Sequence, residues 1–231
     1  MQKHIIAIGG AAFSKNSDEA LIERYILNLT GKQNPKICFL PQASAEAQEY
    51  VVRFYELFHQ LGAQTSWISL FGRVEPTWKE KLLEQDVIFV GGGNTRSMLA
   101  LWREWGMDTV LKQAYANGIV LAGVSAGAIC WFEQGITDSV WPMGMLNCLG
   151  ILKGSCSPHY DSEPERRPVF THAVDTGLAM SGIALADHTA AHYVDGALKH
   201  VVSWKPNKEA FLVSKEQHTP IDILELQKVR S

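Results

Sequence analysis

Four uninterrupted apolar runs between residues 5 and 122 constrain the fold of this 231-residue chain more than any other feature. Each is four residues long and is followed at once by glycine or proline; the runs are residues 5–8, 37–40, 87–90 and 119–122. Because the runs are continuous rather than alternating, they predict strands that are buried on both faces. A further strand is predicted over residues 64–70, and segments of helical periodicity separate the strands; one of them places Tyr50, Phe54 and Leu57 on a single apolar face. This alternation predicts an α/β fold with a doubly wound, mostly parallel sheet and helices on both faces.

The C-terminal third shows a different pattern, in which short strands are joined by tight turns. The predicted strands are residues 183–186, 190–194, 197–204 and 209–213. Asp195-Gly196 is typical of a hairpin turn, so we expect a small, mixed or antiparallel C-terminal extension of the sheet. The stretch from Glu133 to Pro158 is expected to be rich in loops. No repeat, low-complexity tract or linker divides the sequence, which predicts a single α/β domain over residues 1–231.

Composition and charge exclude several classes of partner. The formal net charge is −3 and no basic cluster extends beyond Arg166-Arg167, so we expect no nucleic-acid partner. No apolar stretch has the length that a bilayer requires, and the first apolar run is too short for the core of a signal peptide, so we expect no membrane partner. The four cysteines show no Cys-x-x-Cys spacing, which favours reduced thiols and a cytoplasmic location.

The strongest local signal is Gly123-Val124-Ser125-Ala126-Gly127, which matches Gly-x-Ser-x-Gly between a predicted strand and a predicted helix. A sharp strand-to-helix turn strains the backbone of its serine, and small neighbours are needed because the strand and the helix approach closely. The turn exposes the hydroxyl, and the first N–H groups of the helix point at the same place. We therefore predict that Ser125 is a nucleophile and that Ala126 donates to an oxyanion. The alternative is a turn of small residues that only packs a helix on a strand.

A second glycine-rich turn, Gly91-Gly92-Gly93-Asn94-Thr95, also lies between a predicted strand and a predicted helix. Three glycines let the backbone approach a ligand and present its N–H groups without obstruction. We predict that Gly92 or Gly93 supplies the second oxyanion donor. Asn94 is expected to cap the helix and is also a candidate for binding substrate. A nucleotide loop is disfavoured, because neither Gly-x-Gly-x-x-Gly nor Gly-Lys-Ser/Thr is present.

A serine hydroxyl needs a base that takes its proton, and the sequence offers eight histidines. We favour His159, because Pro158 fixes the path of the chain beside it in a loop downstream of Ser125. His188 and His192 flank or occupy a predicted strand and remain rivals. The base is recognised by geometry, so the sequence leaves this choice open.

A carboxylate should orient the imidazole and stabilise its protonated form. Asp187 directly follows a predicted apolar strand, which is a position suited to a catalytic group, and Asp138 is the second candidate. Asp161 and Asp195 are further carboxylates downstream of the nucleophile. If His159 and Asp187 are the partners, the order Ser, His, Asp differs from that of the α/β-hydrolases.

These motifs resemble the peptidase E family, the bacterial aspartyl dipeptidases, and its cyanophycinase-like relatives. The resemblance covers about Ile5 to Val213 and is carried by four segments: Gly91 to Thr95, Gly123 to Ala128, Ser157 to Tyr160 and Leu185 to Asp187. It implies a flavodoxin-like sheet related to the class I glutamine amidotransferases, and neither a metal nor an organic cofactor.

The resemblance also implies site residues and an activity. Ser125 corresponds to the nucleophile and His159 to the general base. Some members carry glutamate in a Leu-Pro-Glu context where this sequence has Asp187, and Asp138 lies near another acid proposed for that role. The implied function is hydrolysis of short peptides by a serine peptidase.

The implied substrates include dipeptides with an N-terminal aspartate. Arg166 or Arg167 is a candidate for binding the substrate carboxylate, because a guanidinium can hold a carboxylate with two parallel hydrogen bonds. Two alternatives stay open: an esterase or other amide hydrolase of the same fold, and a catalytically silent, amidotransferase-like binding protein. An aromatic cluster that includes Trp131 and Trp141 is interpreted as core, with pocket lining or a homodimer contact as alternatives.

Overall fold

The computed structural model describes residues 2–13 and 19–227. Its strands are β1 His4–Ile8, β2 Lys36–Leu40, β3 Gln64–Trp67, β4 Val87–Val90, β5 Val120–Val124, β6 Phe132–Thr137, β7 Gly144–Asn147, β8 Leu152–Ser157, β9 Gly182–Leu185, β10 Thr189–Val194, β11 Ala197–Ser203, β12 Ala210–Ser214, β13 Gln217–Pro220 and β14 Ile223–Glu225. Its α-helices are α1 Leu21–Asn28, α2 Gln48–Gln60, α3 Trp78–Leu83, α4 Thr95–Trp105, α5 Met107–Ala116, α6 Ala126–Ile129 and α7 Arg166–Asp175. A 3₁₀ turn over Gln42–Ser44 follows β2. Ser17, which the sequence pattern suggests as the start of α1, lies outside the described residues.

The strands predicted in the N-terminal half form the parallel centre of an eight-stranded sheet. Its strand order is β14-β11-β10-β1-β5-β4-β2-β3. The predicted extension is present: β10 pairs antiparallel with β1, and β11 pairs antiparallel with β10. The turn between them is Asp195-Gly196, where φ is 51° and 83°, as a hairpin of this type requires. β14 pairs parallel with β11 and forms the edge.

Alternate residues of the apolar runs face opposite sides of this sheet. On one side, Phe39 and Phe89 belong to the core that β1, β2, β4 and β5 share with α1 and α2. On the other side, Leu40 and Ile88 belong to the core shared with α3, α4 and α5. Burial on both sides is the physical reason that these runs are continuous. The prediction of helices on both faces is confirmed.

A second, six-stranded sheet with the order β13-β12-β9-β8-β6-β7 was not predicted. One side of it shares the core of α3 to α5, and the other side packs against α7. The expectation that residues 133–158 are rich in loops is wrong, because β6, β7 and β8 lie there. The sequences of β6 and β8, FEQGIT and LKGSCS, mix polar and small residues and show neither alternation nor a continuous run. The predicted strands over residues 183–186 and 209–213 also belong to this sheet, as β9 and β12.

The carboxyl ends of three neighbouring strands of the larger sheet meet at one place. β1 ends before Gly9, β4 before Gly91 and β5 before Ser125, and β5 lies between β1 and β4. In sheets of this type ligands bind at this edge. None of the helices in the described part of the chain combines the length and the hydropathy that a membrane span requires.

Candidate active site

The turn at Ser125 is strained and tightly packed. Ser125 has φ 57° and ψ −112°, a conformation that is costly for a residue with a side chain, and its N–H donates to the carbonyl of Ile8 at 3.0 Å. A Cβ on Gly123 would lie 2.4 Å from the carbonyl oxygen of Gly127, and one on Gly127 would lie 2.2 Å from that of Val90. Both glycines of the motif are therefore required by the close approach of α6 to β4 and β5.

A hydrogen-bonded path leads from the Ser125 hydroxyl to a carboxylate. Oγ of Ser125 lies 2.9 Å from Nε2 of His159, and Nδ1 of His159 lies 2.7 Å from Oδ1 of Asp187. With its proton on Nδ1, the ring donates to Asp187 and accepts from the serine hydroxyl. The serine follows β5 in the larger sheet, whereas His159 and Asp187 follow β8 and β9 in the smaller one. The path therefore joins the two sheets.

The loop after β1 fixes the positions of the ring and the carboxylate. The N–H of His159 donates to the carbonyl of Gly9, and the N–H of His188 donates to that of Gly10, each at 3.2 Å. A Cβ on Gly10 would lie 1.8 Å from Oδ1 of Asp187 and 2.7 Å from two atoms of the His159 ring. Gly10 is thus a site residue that the sequence reasoning missed; the only signal was a Gly-Gly pair directly after a buried strand.

Asp161 holds the backbone of Asp187 in place. Its Oδ1 accepts the backbone N–H of Asp187 at 2.8 Å, and its Oδ2 pairs with Nζ of Lys208 at 2.6 Å. Burial by itself would raise the pKa of Asp187, but hydrogen bonds from His159 and Ser162 outweigh it, so the pKa lies below its ordinary value. Asp187 is therefore ionised at neutral pH, as an acceptor for the imidazole must be.

The rival candidates lie elsewhere. Asp138 has a side chain that is 63% exposed and lies 3.7 Å from Nη2 of Arg166, and no hydrogen bond joins it to His159 in the described residues. The ring of His188 packs on Trp204 at 5.7 Å. His192 is bonded to other residues nearer the amino end of β1. Of the weighed carboxylates, Asp187 is the one that contacts the imidazole beside Ser125.

Two of the three glycines in this loop have N–H groups with an acceptor among the described residues. The N–H of Gly91 donates to the carbonyl of Leu40, and that of Asn94 donates to a carbonyl in the 3₁₀ turn after β2. The N–H of Gly92 donates to the hydroxyl of Tyr50 at 3.2 Å. The N–H of Gly93 finds no acceptor among the described residues. Between the two predicted donors, Gly93 is the one whose N–H remains available.

The second predicted donor position is at the start of α6. Ala126 is the first residue of this helix, so its N–H has no partner within the helix. Gly92 borders the same space, because a Cβ on it would lie 3.3 Å from Cβ of Ser125. The glycine loop and the start of α6 therefore face the nucleophile together.

Asn94 has a structural role that uses most of its side chain. Its Oδ1 accepts the N–H of Ser97 at 2.8 Å and caps α4, as predicted, while its Nδ2 donates to the carbonyl of Ser139 at 3.4 Å. Ser139 also accepts the N–H of Arg96 through its hydroxyl. The loop after β6 is thereby held against the glycine loop.

Arg166 is buried, with an exposed fraction of 2%. Its Nε donates to Glu163 and its Nη1 to the carbonyl of Ile136, each at 2.7 Å. Asp138 lies at 3.7 Å from Nη2. The N–H of Glu163 donates to the carbonyl of His159 at 3.0 Å. Arg166 thus lies between the loop that carries the imidazole and the loop after β6.

Arg167 is placed differently. Its guanidinium lies over the rings of Tyr160 and Phe211, 5.3 Å and 5.1 Å from their centroids. These residues line a cavity of about 230 Å³ together with Asp161 and others. A guanidinium over two aromatic faces is held by cation–π attraction, so it is less free than an unstacked one to turn towards a substrate.

The aromatic cluster divides into two parts. Trp131 and Phe132 are fully buried and belong to the core, which agrees with the interpretation of the cluster as core. Trp141 is 78% exposed, in the loop between β6 and β7. No group of three or more His, Cys, Asp or Glu side chains within residues 2–13 and 19–227 is arranged to hold a metal ion.

Comparisons with known proteins relate the whole chain to peptidases. The profile of Peptidase family S51 matches residues 5–201. The chain is 44% identical over 221 residues to the uncharacterized peptidase YgaJ of Bacillus subtilis (strain 168), and the match covers 96% of each chain. It is 27% identical over 144 residues to Peptidase E of Streptomyces coelicolor, which covers 61% of this chain and 56% of that protein.

Two solved structures share the fold. A peptidase from an acI-B1 Actinobacterium superposes with a TM-score of 0.73 at 15% identity, covering 99% of this chain and 98% of its own. A putative peptidase E protein from Listeria monocytogenes EGD-e superposes with a TM-score of 0.64 at 17% identity, covering 86% of this chain and 97% of its own. These likenesses confirm the predicted fold class, a flavodoxin-like, amidotransferase-like α/β fold.

Proposed function

The chain belongs to Peptidase family S51, and from this premise we propose that it hydrolyses short peptides through an acyl-enzyme formed on Ser125. The observation that supports this most is the unbroken path from Oγ of Ser125 through His159 to Asp187, with contacts of 2.9 Å and 2.7 Å. A hydroxyl with this arrangement is an activated nucleophile.

The reaction runs in two halves. The Ser125 oxygen attacks the scissile carbonyl while His159 takes its proton, and the N–H groups of Gly93 and Ala126 stabilise the oxyanion. His159 then returns the proton to the leaving amine, which departs and leaves an ester on Ser125. Water attacks this ester with His159 again as base, and the acid product leaves. Asp187 holds the ring and stabilises its protonated form in both halves.

We further propose that Arg166 recognises a carboxylate of the substrate, which would give a preference for peptides with an acidic N-terminal residue. A relative of this chain bears the name Peptidase E, and the resemblance implies that preference. Asp138, the weaker partner at 3.7 Å and 63% exposed, is the carboxylate that a substrate would displace. A guanidinium can hold a carboxylate with two parallel hydrogen bonds, which gives both strength and geometric specificity.

The central experiment combines a covalent probe with a dipeptide panel. We expect a fluorophosphonate to label the wild type and not Ser125→Ala, and only the wild type to hydrolyse dipeptides. Labelling that persists in Ser125→Ala, or hydrolysis that survives the substitution, would refute the serine mechanism. Ester substrates in the same panel separate a peptidase from an esterase.

The specificity is tested separately. Arg166→Lys keeps the charge but loses the fork, and we expect it to lower kcat/KM for Asp-Leu by about 100-fold, with a much smaller change for Ala-Leu. Arg167→Lys is the matched control and should leave both substrates unchanged. Equal losses on both dipeptides would show that Arg166 only holds the two loops together.

A cytoplasmic location is part of the proposal. All four cysteines are unpaired, which supports a reducing compartment. Localisation of a tagged full-length chain by cell fractionation tests it.

A further inference from the structure

We propose that Tyr50 is a positioning residue, whose hydroxyl holds the glycine loop so that the N–H of Gly93 is aimed at the oxyanion. This inference rests on the proposed function of Ser125 and Gly93. The sequence pattern assigns Tyr50 only to the apolar face of α2. The structure shows that its hydroxyl reaches the glycine loop, where it accepts the N–H of Gly92 at 3.2 Å.

The aromatic ring of Tyr50 is itself held in place. Its centroid lies 5.1 Å from that of Phe39 and 5.2 Å from that of Phe13. A Cβ on Gly91 would lie 2.9 Å from Cε1 of Tyr50, so the loop rests directly on the ring. An acceptor on a ring packed in this way keeps a fixed position, because packed aromatic side chains have little rotational freedom. The hydroxyl is a fixed point for the N–H of Gly92.

A second anchor holds the other side of Gly93. The N–H of Asn94 donates to the carbonyl of Ala43 at 2.7 Å, and a Cβ on Gly93 would lie 2.2 Å from the same oxygen. Ala43 belongs to the 3₁₀ turn after β2. Gln42 fixes that turn, since its Oε1 accepts the indole N–H of Trp102 at 3.2 Å.

The two anchors lie on either side of the N–H group of Gly93. Gly93 has φ 135°, a backbone conformation that glycine adopts readily. Without restraints, three consecutive glycines would sample many conformations. With the N–H groups of Gly92 and Asn94 both bonded, the peptide between Gly92 and Gly93 loses that freedom. A donor that is already oriented needs no reorganisation when charge develops. Tyr50 therefore acts on the reaction through Gly93, without contact to the reacting atoms.

Tyr50→Phe tests the inference, because it removes the acceptor and keeps the ring. We expect kcat for a dipeptide to fall about tenfold with KM unchanged, a part of the 10²- to 10³-fold effect of losing an oxyanion donor altogether. The affinity for a dipeptide boronic acid, whose tetrahedral adduct occupies the oxyanion site, should fall by the same factor. Tyr55→Phe, also on α2, is the matched control: no hydrogen bond joins Tyr55 to the glycine loop in the described residues, so we expect no change in either quantity.

A readout that does not depend on the reaction separates this inference from the proposed function. Exchange of the Gly92 amide proton, measured by NMR, should accelerate in Tyr50→Phe and not in Tyr55→Phe. If the wild type hydrolyses peptides through Ser125 but Tyr50→Phe keeps the wild-type kcat and boronate affinity, the inference about Tyr50 is refuted alone. A raised KM with unchanged kcat would also overturn it, because the hydroxyl would then bind the ground state. If Ser125→Ala remains active, the proposed function fails first, and the positioning role fails with it.

Discussion

His159 and His192 both have hydrogen-bond partners at their two ring nitrogens, but the partners differ in kind. The ring of His159 lies between the Ser125 hydroxyl and the carboxylate of Asp187. A carboxylate stabilises the imidazolium that forms when the ring accepts a proton. In the proposed reaction, Asp187 stabilises the His159 ring after it has taken the proton of Ser125.

Among the residues that the structure describes, the hydrogen-bonded chain around His192 contains no carboxylate. Its Nε2 is 2.9 Å from Nδ1 of His4, and its Nδ1 is 2.6 Å from the hydroxyl of Tyr25, which also contacts Nε2 of His200 at 2.7 Å. Burial, followed by the neighbouring His4, His200 and Lys199, lowers the pKa of His192 to about 3. The His192 ring is therefore neutral at neutral pH and does not change its protonation state there. The comparison teaches that the hydrogen-bond partner of a histidine, rather than the imidazole itself, decides whether the residue is suited to proton transfer or to a structural role.

We expect the largest effect on kcat from replacing His159, and none from the same replacement of His192. His159→Gln removes the base, and we expect kcat to fall by about 10⁴- to 10⁶-fold. His192→Gln keeps two hydrogen-bonding groups in the structural chain and should leave kcat unchanged while it lowers the melting temperature. Steady-state kinetics and thermal unfolding of both variants measure this, and comparable losses of kcat would break the comparison.

Removing the negative charge beside His159 should have the next largest effect. In Asp187→Asn the amide cannot stabilise the imidazolium, and we expect kcat to fall by about 10⁴-fold. Asp195→Asn is the matched control, because Asp195 lies away from His159 and accepts the N–H of Lys3, the residue next to His4. Its kcat should stay at the wild-type value. A mild effect of Asp187→Asn would show that another group orients the ring.

A steric change beside the carboxylate should have a smaller effect. Gly10→Ala places a methyl group where Oδ1 of Asp187 and the ring of His159 lie, and displacing them by about 1 Å should lower kcat by about 100-fold. Gly144→Ala is the control, since the nearest atom to its added Cβ is 3.9 Å away. Full activity of Gly10→Ala would mean that the loop after β1 moves freely and does not position the ring.

The smallest effect concerns stability against pH. Because the folded pKa of His192 lies below its ordinary value of 6.5, the unfolded chain binds the extra proton between these two values. The stabilising contribution is present above about pH 6.5 and is lost as the pH falls towards 3. For this group alone, the free energy of unfolding should decrease by about 2 kcal/mol from pH 7 to pH 5.

Urea unfolding of the wild type and of His192→Gln at several pH values isolates this contribution. Between pH 7 and pH 5, the free energy of unfolding of the variant should depend on pH less steeply than that of the wild type, by the uptake of about one proton. Asp187 provides the contrast: its folded pKa is lowered from 3.8, so its contribution is lost only below about pH 4. Identical pH profiles for the wild type and His192→Gln would contradict the assignment of His192 as a buried neutral ring.

The sequence was sufficient for the parts of this molecule that depend on local physics. Continuous apolar runs identify strands buried on both faces, and the larger sheet follows from them. The strained turn at Ser125 follows from steric requirements that lie within five residues of sequence, and the contacts of Gly123 and Gly127 have the expected form. In the same way, Asn94 could be predicted as a helix cap from its position after the glycines.

Parts that depend on distant contacts could not be predicted. β6 and β8 are buried by α7 and by the larger sheet rather than by a pattern of their own, so the second sheet was missed. The sequence favours His159 over its rival His192 only through the neighbouring Pro158, because the carboxylate that bonds to His159 comes 28 residues later in the chain. Tyr50 looks like an ordinary core residue, since its ring is in the core and only its hydroxyl reaches Gly92.

The division of the proton path between two sheets has a consequence for synthesis of the chain. A ribosome-bound fragment that ends after α6 already contains Ser125, but the segments that carry His159 and Asp187 have not yet been made. Even then β9, which precedes Asp187, pairs on one side with β12, which ends at Ser214. Nearly the whole polypeptide must therefore emerge before the Ser125 hydroxyl meets His159. On the proposed mechanism, we expect a growing chain to be inactive while it is still being translated.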